Sequence, residues 1–319
     1  MEYDKADYFN EDQRDVHVWC SKVGLGRMIK LVAGCYTFSK LKVNVFYRWL
    51  AMIIDLTQGP QFDKLVLVPC KDPRLLSRTN HRSFFSSPSV DQHLPQDSTA
   101  LLNPGHYAPY KLSDDNLIPV SIELHKLLCS SKHEQRRGPL KPASSASPSP
   151  KNDSERRSNK TRKTVRCRDK RCVVTGEEAL RRNRGYNFTG LEVAHIFPLA
   201  FTGDATAMAA MPHDVAEQLK DYKSADKPEN AMLLRADVHK LFDNYQFGIW
   251  PTDGTLYRFE RSGAPVIGRL PSDDVSQELA VLKAHGISSQ FFIEHFRVCL
   301  SWHVRGHGRR RGADDLLEL

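Results

Sequence analysis

Residues 131–166 read SKHEQRRGPLKPASSASPSPKNDSERRSNKTRKTVR, with repeated Pro-Ser, few aliphatic side chains and no hydrophobic period. Such a composition cannot bury enough apolar surface to offset the entropy of ordering a chain, and it predicts a disordered linker. A linker in this position rules out one continuous core. It divides the chain into an N-terminal region over 1–130, the linker itself, a second domain over 167–303 and a flexible tail over 304–319. With 319 residues, 40% of them hydrophobic, the two ordered regions have enough apolar content for separate cores.

The linker also concentrates the charge. Residues 131–171 carry 14 Lys and Arg against 4 Asp and Glu, a net +10, while the whole chain is +8, which leaves everything else at −2. The basic character is therefore local. It suits a nucleic-acid-contacting arm, a nuclear import signal or a plain solvated tether. The opening MEYDKADYFNEDQRD is acidic and polar and lacks the order of a secretory signal, and the stretch VNVFYRWLAMIIDL (43–56) is too short and too polar to span a bilayer. The expectation is an intracellular location without membrane association, nuclear if the basic linker is an import signal. The seven cysteines are scattered and odd in number, which predicts mostly reduced thiols. Cys167 and Cys172 form a C-x4-C with no second pair, so a cysteine zinc site is not expected.

In the first region, apolar spacing at 45, 49, 52, 53 and 56 predicts a helix, 62–70 a strand and 118–131 a second helix, with an irregular segment over 71–117. Nothing here carries recognisable chemistry, and His17 and the tryptophans are read as packing residues. In the second region, 171–176 reads as a short strand ending in a glycine turn, 191–197 as a strand stopped by Pro198, 211–222 as helical, 231–235 as a strand and 236–244 as a helix. A hairpin over 247–260 and a closing helix over 288–300 complete it.

One histidine, His195, stands in the middle of the apolar EVAHIFPLA (192–200). It is either a core histidine with its nitrogens satisfied or a catalytic base. Further on, NAMLLRADVHKLFD (230–243) places His239 nine residues after Asn230 and Asp243 four after His239. Four residues apart on a helix, His239 and Asp243 share a face and can offer a nitrogen and an oxygen to one divalent ion, or simply form a surface pair. Asp237 is expected to cap the helix start.

The words CVVTG (172–176), AHIFPLA (194–200), NAMLLRADVHKLFD (230–243) and FGIWP (247–251) together resemble the HNH nuclease family, in the branch widespread in fungi, over about residues 165–300. The resemblance implies an α+β fold with a ββα-metal core, further helices and a β-hairpin, beside the separate N-terminal α+β region. It implies one divalent ion, Mg²⁺ or Mn²⁺ before Zn²⁺ or Ni²⁺, on His239 and Asp243, with His195 as general base toward water. Asn230 would orient the loop that carries His195. The substrate class would be nucleic acid, DNA before RNA. Many HNH nucleases hold a metal ligand just before the catalytic histidine, where this chain has Ala194; Glu192, two residues back, either reaches toward that place or faces solvent. The alternative to an endonuclease is an HNH-fold module that binds nucleic acid or protein without turnover. A third reading is a regulator acting through the basic linker.

Overall fold

The computed structural model of the chain describes residues 14–22, 28–54, 62–75, 88–113, 116–122, 153–203, 208, 211–259 and 274–305. The chain forms two compact units, one of residues 1–126 with 300–319 and the other of residues 127–299. No helix among the described residues is long and apolar enough to cross a membrane.

Among its described residues the first unit has a mixed sheet and a helix between its second and third strands. Strands β1 (Val16–Lys22), β2 (Met28–Cys35), β3 (Leu65–Cys70) and β4 (Gly105–Ser113) lie in the order β2-β1-β4-β3, and β5 (Asn116–Pro119) folds back on β4. Only β1 and β4 run parallel. Helix α1 (Val43–Ile53) buries Val43, Val45, Phe46, Tyr47, Trp49, Leu50 and Ile53; of the predicted positions, Val45, Trp49 and Ile53 are buried, Met52 is half-buried and Leu56 lies outside the described residues. Trp19, Ile29, Leu31, Val66, Val68 and Tyr110 are part of a core cluster of this unit. His17 is buried and stacks on His106 at 5.0 Å, so it does serve packing. The predicted irregular segment over 71–117 contains β4, and residues 118–119 belong to a strand rather than a helix; residues 123–131 lie outside the described residues. Tyr107, Ala108, Pro109 and Tyr110 are the buried positions of β4, and Pro109, which has no N–H to offer a ladder, falls after the β1 ladder ends at Tyr107 and before the β5 ladder begins at Tyr110.

The tail beyond 303 begins ordered, contrary to expectation. Val304 is fully buried, its carbonyl accepts from the Gly34 N–H at 2.7 Å, and Arg305 bridges to Ala33. The buried Arg14 guanidinium donates to the carbonyls of Gly34, His303 and Val304. Gly34 is required by this packing, since a Cβ there would lie 2.7 Å from the Val16 carbonyl oxygen.

The second unit opens with α2 (Asp153–Asp169). Its first fourteen residues fall in the expected linker, and here the composition argument fails; residues 123–152 lie outside the described residues. Arg, Lys and Glu are good helix formers, and two residues four apart, Thr161 and Val165, are buried and anchor the helix. The stretch 171–176 is a turn rather than a strand: Gly176 N–H returns to the Cys172 carbonyl at 2.9 Å, and Gly176 adopts φ +71°. The turn still serves the sheet, because Val173 N–H donates to Leu233 O at 2.9 Å and the Asp169 carboxylate accepts from Leu233 N–H at 2.8 Å.

Beyond it come the hairpin β6 (Leu180–Arg182) and β7 (Gly185–Asn187), strand β8 (Leu191–His195), helices α3 (His213–Leu219) and α4 (Tyr222–Ala225), strand β9 (Ala231–Arg235), helix α5 (Ala236–Asp243), the hairpin β10 (Phe247–Ile249) and β11 (Leu256–Arg258), and helices α6 (Ser276–Ala284) and α7 (Ser289–His303). The fold is α+β. β8 and β9 pair antiparallel, from Leu191 opposite Arg235 to His195 opposite Ala231, and α5 follows β9 without a break. This β8-β9-α5 arrangement is consistent with a ββα-metal core. The six described cysteines are free thiols.

Helix α5 is held by its buried Val238 and Phe242, and Phe242 stacks flat on His295 of α7, with centroids 3.7 Å apart. His295 is 1% exposed, and burial pushes its pKa down to about 3 against the pull of its bond to the Phe242 carbonyl. It is therefore neutral when folded. The unfolded chain takes up a proton below the ordinary imidazole value of about 6.5, so stability from this residue is complete above that value and is lost as pH falls toward 3. The slope approaches about 1.4 kcal/mol per pH unit. Urea unfolding of the full chain between pH 7.5 and 5 should show this loss, and His295→Phe, which keeps the stack, should flatten it. Equal slopes for the two proteins would show that His295 does not set the acid limit.

Candidate active site

His195 ends β8, and its Nε2 lies 3.0 Å from Asp226 Oδ1. The imidazole is 22% exposed and the carboxylate only 2%. Among the described residues Asp226 is the only polar partner of the ring, and the other carboxylate oxygen, Oδ2, is buried with no hydrogen-bond partner. Nothing in DYKSADKPEN marks Asp226 as special in the sequence; it reads as one more charge in a polar loop.

Asn230 is 1% exposed and spends its whole amide on two loops. Its Oδ1 accepts from Phe197 N–H at 2.8 Å, and its Nδ2 donates to Phe197 O at 3.0 Å and Ala225 O at 3.1 Å. Its backbone carbonyl accepts from Ile196 N–H at 2.9 Å. The two residues after His195 are thus fixed to one residue, Asn230.

His239 projects from α5 and uses both ring nitrogens. Nδ1 lies 2.8 Å from Glu192 Oε2, and Nε2 lies 3.3 Å from Asp243 Oδ2. The helical spacing does bring His239 and Asp243 together. Glu192, although 53% exposed, engages the back of the ring and does not simply face water. Because the nitrogens of an imidazole diverge, Glu192 and Asp243 lie on opposite sides of it and do not converge on one point. Among the described residues no group of three or more His, Cys, Asp or Glu forms such a point. Ala194 is fully buried opposite Met232 and offers no donor. Nε2 and the Asp243 carboxylate, 3.3 Å apart, would offer a divalent ion one nitrogen and one oxygen, the imidazole suiting transition ions and the carboxylate Mg²⁺ or Mn²⁺.

Arg235, not Asp237, holds the N-cap position of α5, but Asp237 does serve the helix start, since its Oδ1 accepts from the Val238 N–H at 2.8 Å; it also binds the Arg235 guanidinium at 2.7 and 2.9 Å, and these bonds keep its carboxyl below the usual range. No hydrogen bond or ion pair joins the His195–Asp226 pair to the Glu192–His239–Asp243 group among the described residues.

Residues 172–249 match the family model described as HNH endonuclease. This segment resembles the HNH family. The match runs from Cys172 to Ile249 and takes in His195, Asn230, His239 and Asp243. HNH domains act on nucleic acids and are generally dependent on a divalent metal. Comparison with curated proteins and with solved structures gave no match. The HNH segment thus covers the ββα core and the first hairpin strand that follows it, and stops short of α6 and α7.

Proposed function

We propose that the chain is a metal-dependent HNH-type endonuclease that hydrolyses phosphodiester bonds, in DNA rather than RNA. The observation that carries this reading is the Asn230 clamp, which fixes the backbone beside His195 while the imidazole keeps an exposed edge. His195 takes a proton from the attacking water, a task suited to an imidazole near neutral pH. His239 and Asp243 hold one divalent ion, Mg²⁺ or Mn²⁺, and Glu192 fixes the His239 tautomer by accepting from Nδ1–H. The ion, when bound, acts as a Lewis acid on the phosphate and the leaving 3′ oxygen.

The deciding experiment incubates the purified full chain with supercoiled plasmid in Mg²⁺, Mn²⁺, Ni²⁺ or EDTA. Metal-dependent nicking supports the enzyme. DNA binding without nicking in any metal supports the second reading, a binding module, which the donorless Ala194 favours.

The basic segment supports nucleic acid as the partner. Helix α2 carries seven Lys and Arg against three Asp and Glu, with Lys160, Arg162 and Lys163 exposed, and Arg181, Arg182 and Arg184 are exposed on the β6–β7 hairpin. Replacing Lys160, Arg162 and Lys163 together by Gln in the full chain should flatten the salt dependence of DNA affinity. On duplex DNA the log–log slope should shrink by about 0.9 for each phosphate that is no longer neutralised. Metal affinity should not change. An unchanged slope would mean that this helix face does not touch nucleic acid.

A further inference from the structure

We propose that Asp226 is a positioning residue for His195: its buried carboxylate fixes the ring with the proton on Nε2, leaving Nδ1 to receive the proton of the attacking water. The inference rests on His195 being the base. Its warrant is the way Asp226 is held. Its Oδ1 meets Nε2 at 3.0 Å, and its backbone is tied on both sides, N–H to Tyr222 O at 2.9 Å and carbonyl from Thr161 Oγ1 at 3.0 Å. The Asn230 side chain grips Ala225, the residue before Asp226, and Phe197, two residues after His195. One amide therefore sets the spacing between the loop that carries the carboxylate and the strand end that carries the imidazole.

Burying a carboxylate is unfavourable unless it is fully paired. Asp226 is 8% exposed as a residue, and its Oδ2 has no hydrogen-bond partner among the described residues. A group placed there only for stability would have both oxygens satisfied. As an orienting group it needs one bond, in the right direction. During hydrolysis the water oxygen attacks phosphorus, the water proton moves to Nδ1, and the P–O3′ bond breaks with its electron pair going to the 3′ oxygen, which solvent protonates. The Nε2–H proton stays on the ring, and the carboxylate stabilises the imidazolium without accepting a proton.

The test has three arms on the full chain. In wild-type protein, the side-chain ¹⁵N spectrum at a pH where the ring is neutral, with His195 assigned by its loss in His195→Ala, should show Nε2 protonated and Nδ1 bare. The reverse tautomer overturns the proposal, and this arm needs no variant at Asp226 to fold. In Asp226→Asn, kcat for plasmid nicking should fall at least about tenfold, toward the ~10⁴-fold seen when the same change reverses a tautomer in a catalytic triad, while KM stays within about twofold. The His195 ¹⁵N pattern should change with it. A folded Asp226→Asn protein with wild-type kcat, beside an inactive His195→Ala, overturns the proposal and leaves the base reading standing. An active His195→Ala overturns both.

Discussion

Replacing His195 by alanine is expected to lower phosphodiester cleavage by about 10²–10⁴-fold, the usual contribution of a general base, while metal and DNA binding stay largely intact. The reason is geometric. His195 has a carboxylate on one nitrogen and shares no hydrogen bond or ion pair with His239 or Asp243 among the described residues, so its loss removes a proton acceptor and no ligand. Alanine also leaves the Asp226 carboxylate buried without its partner, and that costs stability. His195→Gln is the better companion, since its amide can still donate to Asp226 but cannot serve as a base. Both variants should lose activity, and the glutamine form should unfold at higher urea than the alanine form. Retention of more than about a tenth of wild-type nicking by both would be outside the range for a general base and would sink this role.

The second large effect concerns the ion. His239→Ala should weaken Mn²⁺ binding by more than the 10–100-fold typical of losing a group that merely orients a ligand. Two things go at once: the nitrogen at 3.3 Å from Asp243 Oδ2, and the ring on which Glu192 rests. Asp243→Ala should cost less, because water can replace one carboxylate oxygen around a hard cation. Glu192→Gln should fall within that 10–100-fold range, as it touches the ring and not the ion. Calorimetry with Mn²⁺ on the full chain checks all three. If the His239→Ala/Asp243→Ala double variant binds like wild type, the helix pair is structural.

The elements nearest the site are the most legible in the sequence. β9 matches its predicted range, and β8 and α5 lie within theirs, although β8 ends at His195 rather than just before Pro198; the apolar pattern changes period at Ala236, where α5 begins. The pairing of His239 with Asp243 follows from a short helical spacing. Asp226 is invisible for the opposite reason. Its meeting with His195 spans 31 residues and is created when α3 and α4 close a loop, and no local periodicity encodes that closure. Strands β1 and β2 escape assignment because short apolar runs do not separate strand from helix by periodicity. Helix α2 is hidden by composition: over 159–169, where burial is described, Thr161 and Val165 are the buried positions, too few to raise an apolar stripe above a charged background.

The first unit is interrupted in the chain by the second, with residues 300–305 supplying acceptors to Arg14 and Gly34. Closure of the first unit therefore depends on carbonyls supplied some 290 positions along the chain from Arg14. A chain cut after Trp302 would take two acceptors from the buried Arg14 guanidinium and the acceptor from the Gly34 N–H, a loss that is unfavourable for buried donors. Limited proteolysis of that truncated chain should show the added sensitivity first within residues 14–122.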